Sequence, residues 1–168
     1  MRFWKLATTF LISQFGWSVV TAQTKQDQTA LADRLAIQET IALYAHRWDA
    51  KDASGFADLM TEDAVFERWV LGERKSRLEG RQAILAYARK SYSERLADRQ
   101  TRHHMSNVVL TELTAETAQT ESTVLITHQT ADDPAPRISG SGTYRITWRK
   151  TDRGWKIAER VLLSDRAP

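Results

Sequence analysis

Apolar residues recur at helical spacing early in the chain and at strand spacing later, and this order limits the fold more than any other feature. From Leu31 to Asp49 apolar residues return every three or four positions, which predicts an amphipathic helix. Four later segments have the pattern of strands, about Thr101–Leu113, Thr117–Gln129, Ile138–Lys150 and Trp155–Ser164. Helices followed by an antiparallel meander predict an α+β domain.

The segments between these elements are shorter. Asp52–Gly55 breaks the first helix and begins a second one that runs through Met60, and Gly80 precedes a third helix over Arg81–Ala97. The remaining predictions are a turn at Thr61–Asp63, a strand over Ala64–Leu71, and hairpin turns at Asp132–Ala135 and Asp152–Gly154.

The N-terminus has the pattern of a cleavable secretory signal. Two cations, Arg2 and Lys5, precede the mostly apolar run Leu6–Val20, and small residues follow up to Ala22. We therefore expect a signal peptide over residues 1–22, a single domain over residues 23–168, and an exported protein, periplasmic or secreted. The alternative is a buried or interfacial N-terminal helix. The run is shorter than the roughly 20 residues of a membrane span, so no stable span is expected.

Composition excludes several classes of protein. The chain of 168 residues contains no cysteine, which rules out disulfides, zinc–thiolate sites, iron–sulfur clusters and cysteine nucleophiles. The net charge of +3 includes Arg2 and Lys5, so the exported chain would be nearly neutral, and no nucleic-acid partner is expected. Basic residues are in excess between Arg68 and Arg102, which is typical of a solvated helix face; an anionic partner is the alternative.

Asp49 is the most informative acidic residue of the first helix. It projects onto the same side as Leu35 and Ala42, whereas Asp33 and His46 project onto the polar side. A carboxylate that faces the core is costly unless another group pairs with it. We therefore expect a partner for Asp49 on the covering sheet, and His46 at the surface.

Histidines on the predicted strands are candidate partners. His103 and His104 are adjacent, so their side chains point to opposite faces. Strict alternation places Met105 and Asn107 on the face of His103, and His128 ends the next strand. An Asp–His pair would fix the imidazole tautomer and raise its basicity, as proton abstraction requires. A structural buried pair is the alternative reading of the same pattern.

Several segments resemble the SnoaL-like group of the nuclear transport factor 2-like superfamily. They cover about Ala30 to Asp165 and comprise Leu35–Glu39, Tyr44–Ala45, Trp48–Asp52, Phe56, Ala64–Phe66, Thr101–Asn107 and Gly154–Ile157. The closing hairpin is common in the superfamily and indicates the fold. Asp49 and His103 are more specific, because they match the Asp–His dyad of scytalone dehydratase and hexachlorocyclohexane dehydrochlorinase.

This resemblance implies a curved, mostly antiparallel sheet wrapped on about three N-terminal helices as a cone-shaped barrel. It further implies an apolar pocket, a homodimer that pairs through the sheet, and cofactor-free lyase or isomerase chemistry of the dehydratase, isomerase or cyclase type. Asp49 and His103 would be catalytic, and neither a cofactor nor a metal is expected. A non-catalytic ligand-binding or dimerisation module of the same fold is the alternative.

The resemblance and the predicted strand faces together indicate a set of pocket residues. Trp48 stands where scytalone dehydratase has a tyrosine, which favours a different small apolar or carbonyl-bearing molecule. Arg145 would suit an anionic or carbonyl-bearing ligand if it faced the pocket. The expected substrate-binding residues are Tyr44, Trp48, Phe66, Trp69, Met105, Asn107, Ile126, His128 and Arg145.

Overall fold

The structure of the chain is a computed structural model that describes the backbone of residues 15–165 and the side chains of residues 24–165. In chain order the elements are α1 (Phe15–Asp49), α2 (Ala53–Asp58), β1 (Met60–Val70), β2 (Glu73–Glu79), α3 (Arg81–Ser93), β3 (Arg99–Leu113), β4 (Thr117–Thr130), β5 (Arg137–Thr151) and β6 (Gly154–Ser164). Most of the expected signal peptide, residues 1–14, lies outside the described range.

Two compact units divide the chain, one ending at Ala32 and the other beginning at Asp33. In the first unit the structure describes the N-terminal part of α1, where Thr29 Oγ1 donates to the carbonyl of Lys25 at 3.0 Å. The second unit contains the rest of α1 and every other described element. No helix within residues 15–165 is both long enough and apolar enough to cross a membrane.

The six strands form one sheet in the order β2-β1-β6-β5-β4-β3. All neighbouring strands run antiparallel except β1 and β6, which are parallel. The predicted α+β class with a mostly antiparallel sheet is therefore confirmed. The sheet does not close into a barrel, because β2 and β3 remain its two edges.

Two local predictions were wrong near the first strand. Thr61–Asp63 belongs to β1 instead of forming a turn, and β2 was not anticipated. The sequence of β2 contains a single large apolar residue, Leu78, so it lacks the alternation that reveals a half-buried strand. Charged residues are typical of edge strands, where they discourage pairing with another chain.

The core forms around one face of α1. Ile37, Ile41, Tyr44 and Trp48 are each at most 9% exposed, which confirms that they share the buried face. They pack against aromatic and aliphatic side chains from the other helices and from the inner face of the sheet, including Phe56, Phe66, Ile84, Tyr144, Ile146 and Trp148.

Asp33 extends the buried face of α1 by one turn, contrary to its predicted place on the polar side. It is 8% exposed and accepts hydrogen bonds from Lys150 Nζ, at 2.7 and 2.9 Å, and from Trp155 Nε1 at 2.9 Å. Leu35, expected on the apolar arc, is 58% exposed. The β5–β6 hairpin supplies the Lys150 ammonium and the Trp155 indole N–H to this carboxylate. The charged Asp33 is therefore buried and the apolar Leu35 exposed, which is the opposite of what hydropathy alone predicts.

Removing the Asp33 carboxylate should destabilise the fold. Asp33→Ala leaves the buried Trp155 indole N–H and the Lys150 ammonium without an acceptor, so we expect the free energy of unfolding to fall by about 2 kcal/mol. The exposed Asp63–Arg149 pair offers a matched control, since Asp63→Ala should cost less than about 1 kcal/mol. Urea denaturation measures both values, and equal losses would contradict a structural role for Asp33.

Candidate active site

Asp49 and His103 form a buried pair where the end of α1 meets β3. Oδ1 of Asp49 lies 2.8 Å from Nδ1 of His103, and Oδ2 accepts the backbone N–H of His103 at 2.8 Å. Thr101 Oγ1 also donates to Oδ1 at 2.8 Å. The Asp49 and His103 side chains are 9% and 7% exposed, so three donors satisfy a carboxylate that is almost out of water.

Burial of Asp49 depends on its place at the helix terminus. Leu35 is exposed and so is Ala42, although both project to the same side of α1, so a continuous apolar arc was the wrong reason to expect burial here. At the last residue of α1, side-chain and backbone donors of Thr101 and His103 on β3 cover the carboxylate. Gln100 Nε2 reinforces that junction by donating to the backbone carbonyl of Asp49 at 3.0 Å.

The electrostatic balance keeps Asp49 ionised. Burial raises the pKa of this carboxyl, but the hydrogen bonds and charge of His103, with the hydroxyl of Thr101, outweigh that effect and hold the pKa below its usual range. An ionised Asp49 fixes a proton on Nδ1 of His103. In the neutral imidazole with this tautomer, Nε2 carries the lone pair, which is the requirement for a general base.

Aromatic rings surround the imidazole on the side of the core. The Trp48 ring meets that of His103 edge-on, with centroids 6.2 Å apart. Tyr87 stacks on Trp48 at 6.0 Å and Tyr92 meets it edge-on at 5.1 Å. Both tyrosines lie on α3 and were missed from the sequence, although they flank the apolar stripe of Ile84 and Ala88 that α3 buries.

The structure brings five of the predicted pocket residues to the interior side of His103. Tyr44 and Phe66 are 3% and 2% exposed, so they belong to the packed core and do not line an open cavity. Trp48 joins that core and also contacts His103, whereas Met105 and Ile126 are partly buried against it.

Asn107 does not share the face of His103. The pairing of β3 with β4 shifts register between Ser106 and Val109, and Asn107 has a φ of 52°. Its side chain donates to Thr123 Oγ1 at 3.2 Å on the outer face, while Val108 packs against the core. An extra residue at a β-bulge reverses the alternation that the prediction assumed.

Trp69 and Arg145 also lie away from the other predicted pocket residues. Trp69 Nε1 donates to Glu67 Oε2 at 2.7 Å, and the guanidinium of Arg74 lies 5.8 Å from its ring. Arg145 stands between the buried residues Tyr144 and Ile146, so it points to the opposite face of β5. There it forms an ion pair with Glu121 at 2.9 Å and is 62% exposed.

An open groove reaches the dyad between the end of α1 and the free edge of β3. Its volume is about 460 Å³, within the range of small-molecule sites. The lining residues are Ala45, His46, Asp49, Ala50, Gln100, Arg102 and His103. His46 is exposed as expected, but Gln100 and Arg102 were not anticipated as site residues because strand alternation points them away from His103.

His128 lies opposite Thr101 on β4 and is half-buried. Burial lowers the pKa of its imidazole, and the positive charges of Arg99 and Arg95 lower it further. The surroundings of His128 therefore favour its neutral form. Within the described residues no three histidine, cysteine or acidic side chains are grouped in a way that could hold a metal ion.

The α+β fold is one that NTF2-like proteins share. An NTF2-like protein with a cystatin-like fold from Novosphingobium aromaticivorans shares 23% identity and a TM-score of 0.68 over 92% of each chain. The chain belongs to the SnoaL-like domain family, whose profile matches residues 29–161.

Two other solved structures are similar. Rv3472, a protein of unknown function from Mycobacterium tuberculosis, has 28% identity and a TM-score of 0.71, over 83% of this chain and 76% of that one. A proposed scytalone dehydratase from N. aromaticivorans has 25% identity and a TM-score of 0.68, over 82% and 87%. No curated protein matches the chain.

The environment of His128 predicts its titration. We expect NMR to give an imidazole pKa below the ordinary 6.5, and Arg99→Gln to raise that pKa by removing a nearby positive charge. Because the unfolded chain then binds this proton more readily, the free energy of unfolding should fall as the pH drops through 6.5. Arg145→Gln, on the outer face, is the control and should leave the His128 pKa unchanged. A pKa above 6.5, or one insensitive to Arg99, would contradict this account.

Proposed function

We propose that the protein is a cofactor-independent lyase or isomerase in which His103 removes a proton from a carbon beside a carbonyl or a leaving group. The observation that carries this proposal is the 2.8 Å contact between Asp49 Oδ1 and His103 Nδ1 at the wall of a groove. A histidine oriented by a buried carboxylate, with its second nitrogen available, is the arrangement that general-base catalysis requires.

The proposed reaction begins with transfer of a C–H proton to Nε2 of His103. The electron pair of that bond then forms an enolate or expels a leaving group from the neighbouring carbon. Loss of the leaving group is elimination, return of the proton at another carbon is isomerisation, and attack on a second carbonyl is cyclisation. In each case the ionised Asp49 stabilises the imidazolium formed in the first step.

Asp49 is suited to orient the imidazole without taking its proton. Besides the bond to Nδ1, its two oxygens accept the Thr101 hydroxyl and the backbone N–H of His103, both at 2.8 Å. These two bonds persist whatever the charge of the imidazole, so they hold the carboxylate in place and favour its ionised form. The likeness to a proposed scytalone dehydratase supports elimination in particular.

Proton abstraction can be measured without knowledge of the physiological substrate. We expect the wild-type chain to accelerate exchange of the C2 protons of 1-tetralone in D₂O, as followed by ¹H NMR. His103→Gln and Asp49→Asn should each lower that rate by about 100-fold or more, since general-base catalysis contributes about 10²–10⁴-fold.

His104 provides the matched control for this experiment. It is the adjacent histidine, but it lies on the other face, with Nε2 3.2 Å from Thr127 Oγ1, so His104→Gln should exchange at the wild-type rate. Exchange that persists in His103→Gln would rule out this residue as the base. Bound 1-tetralone without exchange would support the non-catalytic ligand-binding alternative, which the packing of Tyr44 and Phe66 into the core favours.

We also propose that the chain forms a homodimer through the outer face of the sheet and is exported after cleavage near Ala22. Support for the dimer comes from apolar side chains on the outer face of β3, β4 and β5, with Val109, Leu125 and Ile138 exposed by 56%, 38% and 72%. Exposed apolar residues on one face are typical of interaction surfaces. Support for export comes from the signal pattern of residues 1–22.

Native mass spectrometry of the protein from its own host tests both proposals. We expect a particle with twice the mass of a chain that begins at Gln23. Leu125→Glu should shift this particle to the monomer mass, because it places a carboxylate in the proposed interface. A retained N-terminus would contradict export, and a monomeric wild type at micromolar concentration would contradict the dimer.

A further inference from the structure

We infer that the groove beside the dyad binds a small organic carboxylate, and that Arg102 is the residue that selects it. This inference rests on the proposed function for the role of His103 and adds the class of substrate. It depends on the location of the Arg102 guanidinium, on its lack of an acidic partner, and on the polar groups around it.

A shared acceptor places the guanidinium at the groove. Arg102 Nη1 donates to the carbonyl of Thr101 at 3.2 Å, and Gln100 Nε2 donates to the same carbonyl at 2.8 Å. The Gln100 amide also reaches the carbonyl of Asp49 at 3.0 Å. Because β3 is an edge strand, this carbonyl and the N–H of His103 point to the same open side, toward the end of α1.

The charge of Arg102 is not neutralised within the described residues. Two neighbouring arginines have carboxylate partners: Arg99 pairs with Asp98, and Arg137 pairs with Asp133. Arg102 forms one hydrogen bond, to a neutral carbonyl, although a guanidinium has five N–H donors. Its unused donors are arranged as a planar fork that matches a carboxylate in two parallel hydrogen bonds.

The acidic groups nearby do not compete for this cation. Asp49 is occupied by His103 and Thr101. The carbonyls at the negative end of α1 are also satisfied, since the His46, Trp48 and Arg47 carbonyls accept the N–H groups of the three residues after the helix. Among the residues that line the groove, Arg102 is the one guanidinium or ammonium, and its charge stays available to a ligand.

The groove has room for a ligand that spans both groups. Its volume of about 460 Å³ exceeds that of a bicyclic aromatic acid, and both Arg102 and His103 line it. A carboxylate held by Arg102 fixes one end of such a ligand, so that a carbon along its skeleton faces the imidazole. Positioning of this kind converts binding energy into orientation at the reacting atom.

A pair of matched probes tests the inference on the full-length chain. 2-Naphthoate and 2-naphthamide share one ring system and differ in charge, and isothermal titration calorimetry at low ionic strength measures both affinities. We expect naphthoate to bind at least about 10-fold more tightly than naphthamide, Arg102→Gln to abolish the difference, and Arg102→Lys to keep part of it. Arg145→Gln removes an arginine from the outer face and should leave the preference unchanged.

Several results would overturn the inference: equal affinity for the two probes, a preference that survives Arg102→Gln, or no binding of either probe at millimolar concentration. His103→Gln separates it from the proposed function. This variant should keep the preference for naphthoate, because Arg102 remains, while losing the exchange activity. A chain that prefers naphthoate through Arg102 but never exchanges protons would retain the carboxylate site and refute the catalytic proposal.

Discussion

The arrangement of the site depends on one buried carboxylate. Placing the charge of Asp49 out of water would cost several kcal/mol if it were unpaired. Three donors from a short stretch of β3, at Thr101 and His103, surround it instead. The need to satisfy Asp49 thus fixes where β3 meets α1, which nitrogen of His103 is protonated, and on which side the groove opens.

A second buried carboxylate sits at the other end of the same helical stretch. Asp33 accepts bonds from the β5–β6 hairpin, and Asp49 accepts bonds from β3 sixteen residues later, about 24 Å along the helix axis. Between them Ile37, Ile41 and Tyr44 pack on the core through hydrophobic contacts, and such contacts have no preferred direction. Directional bonds at both ends therefore set the rotation and axial position of α1, which hydrophobic contacts leave adjustable.

Sequence reasoning succeeded where periodicity and the family resemblance agreed, and failed where a single residue broke the pattern. The buried face of α1, the four long strands and the partnership of Asp49 with His103 were all predictable. Asn107 was misplaced because a bulge is invisible to strict alternation. Asp33 was misplaced because its partners lie more than a hundred residues away, so nothing local indicates that a charge there can be buried. Arg102 was overlooked because its place at the groove depends on β3 being an edge strand. The order of the strands in the sheet cannot be read from the sequence pattern.

The open edge of β3 has a further consequence for how the chain avoids aggregation. An unpaired strand edge is a template onto which another chain can add a strand. Here the Thr101 carbonyl is occupied by two side chains, and the His103 N–H is held by Asp49. The groups that organise the groove therefore also protect a stretch of backbone from intermolecular pairing, so a substitution at Asp49 would also weaken solubility.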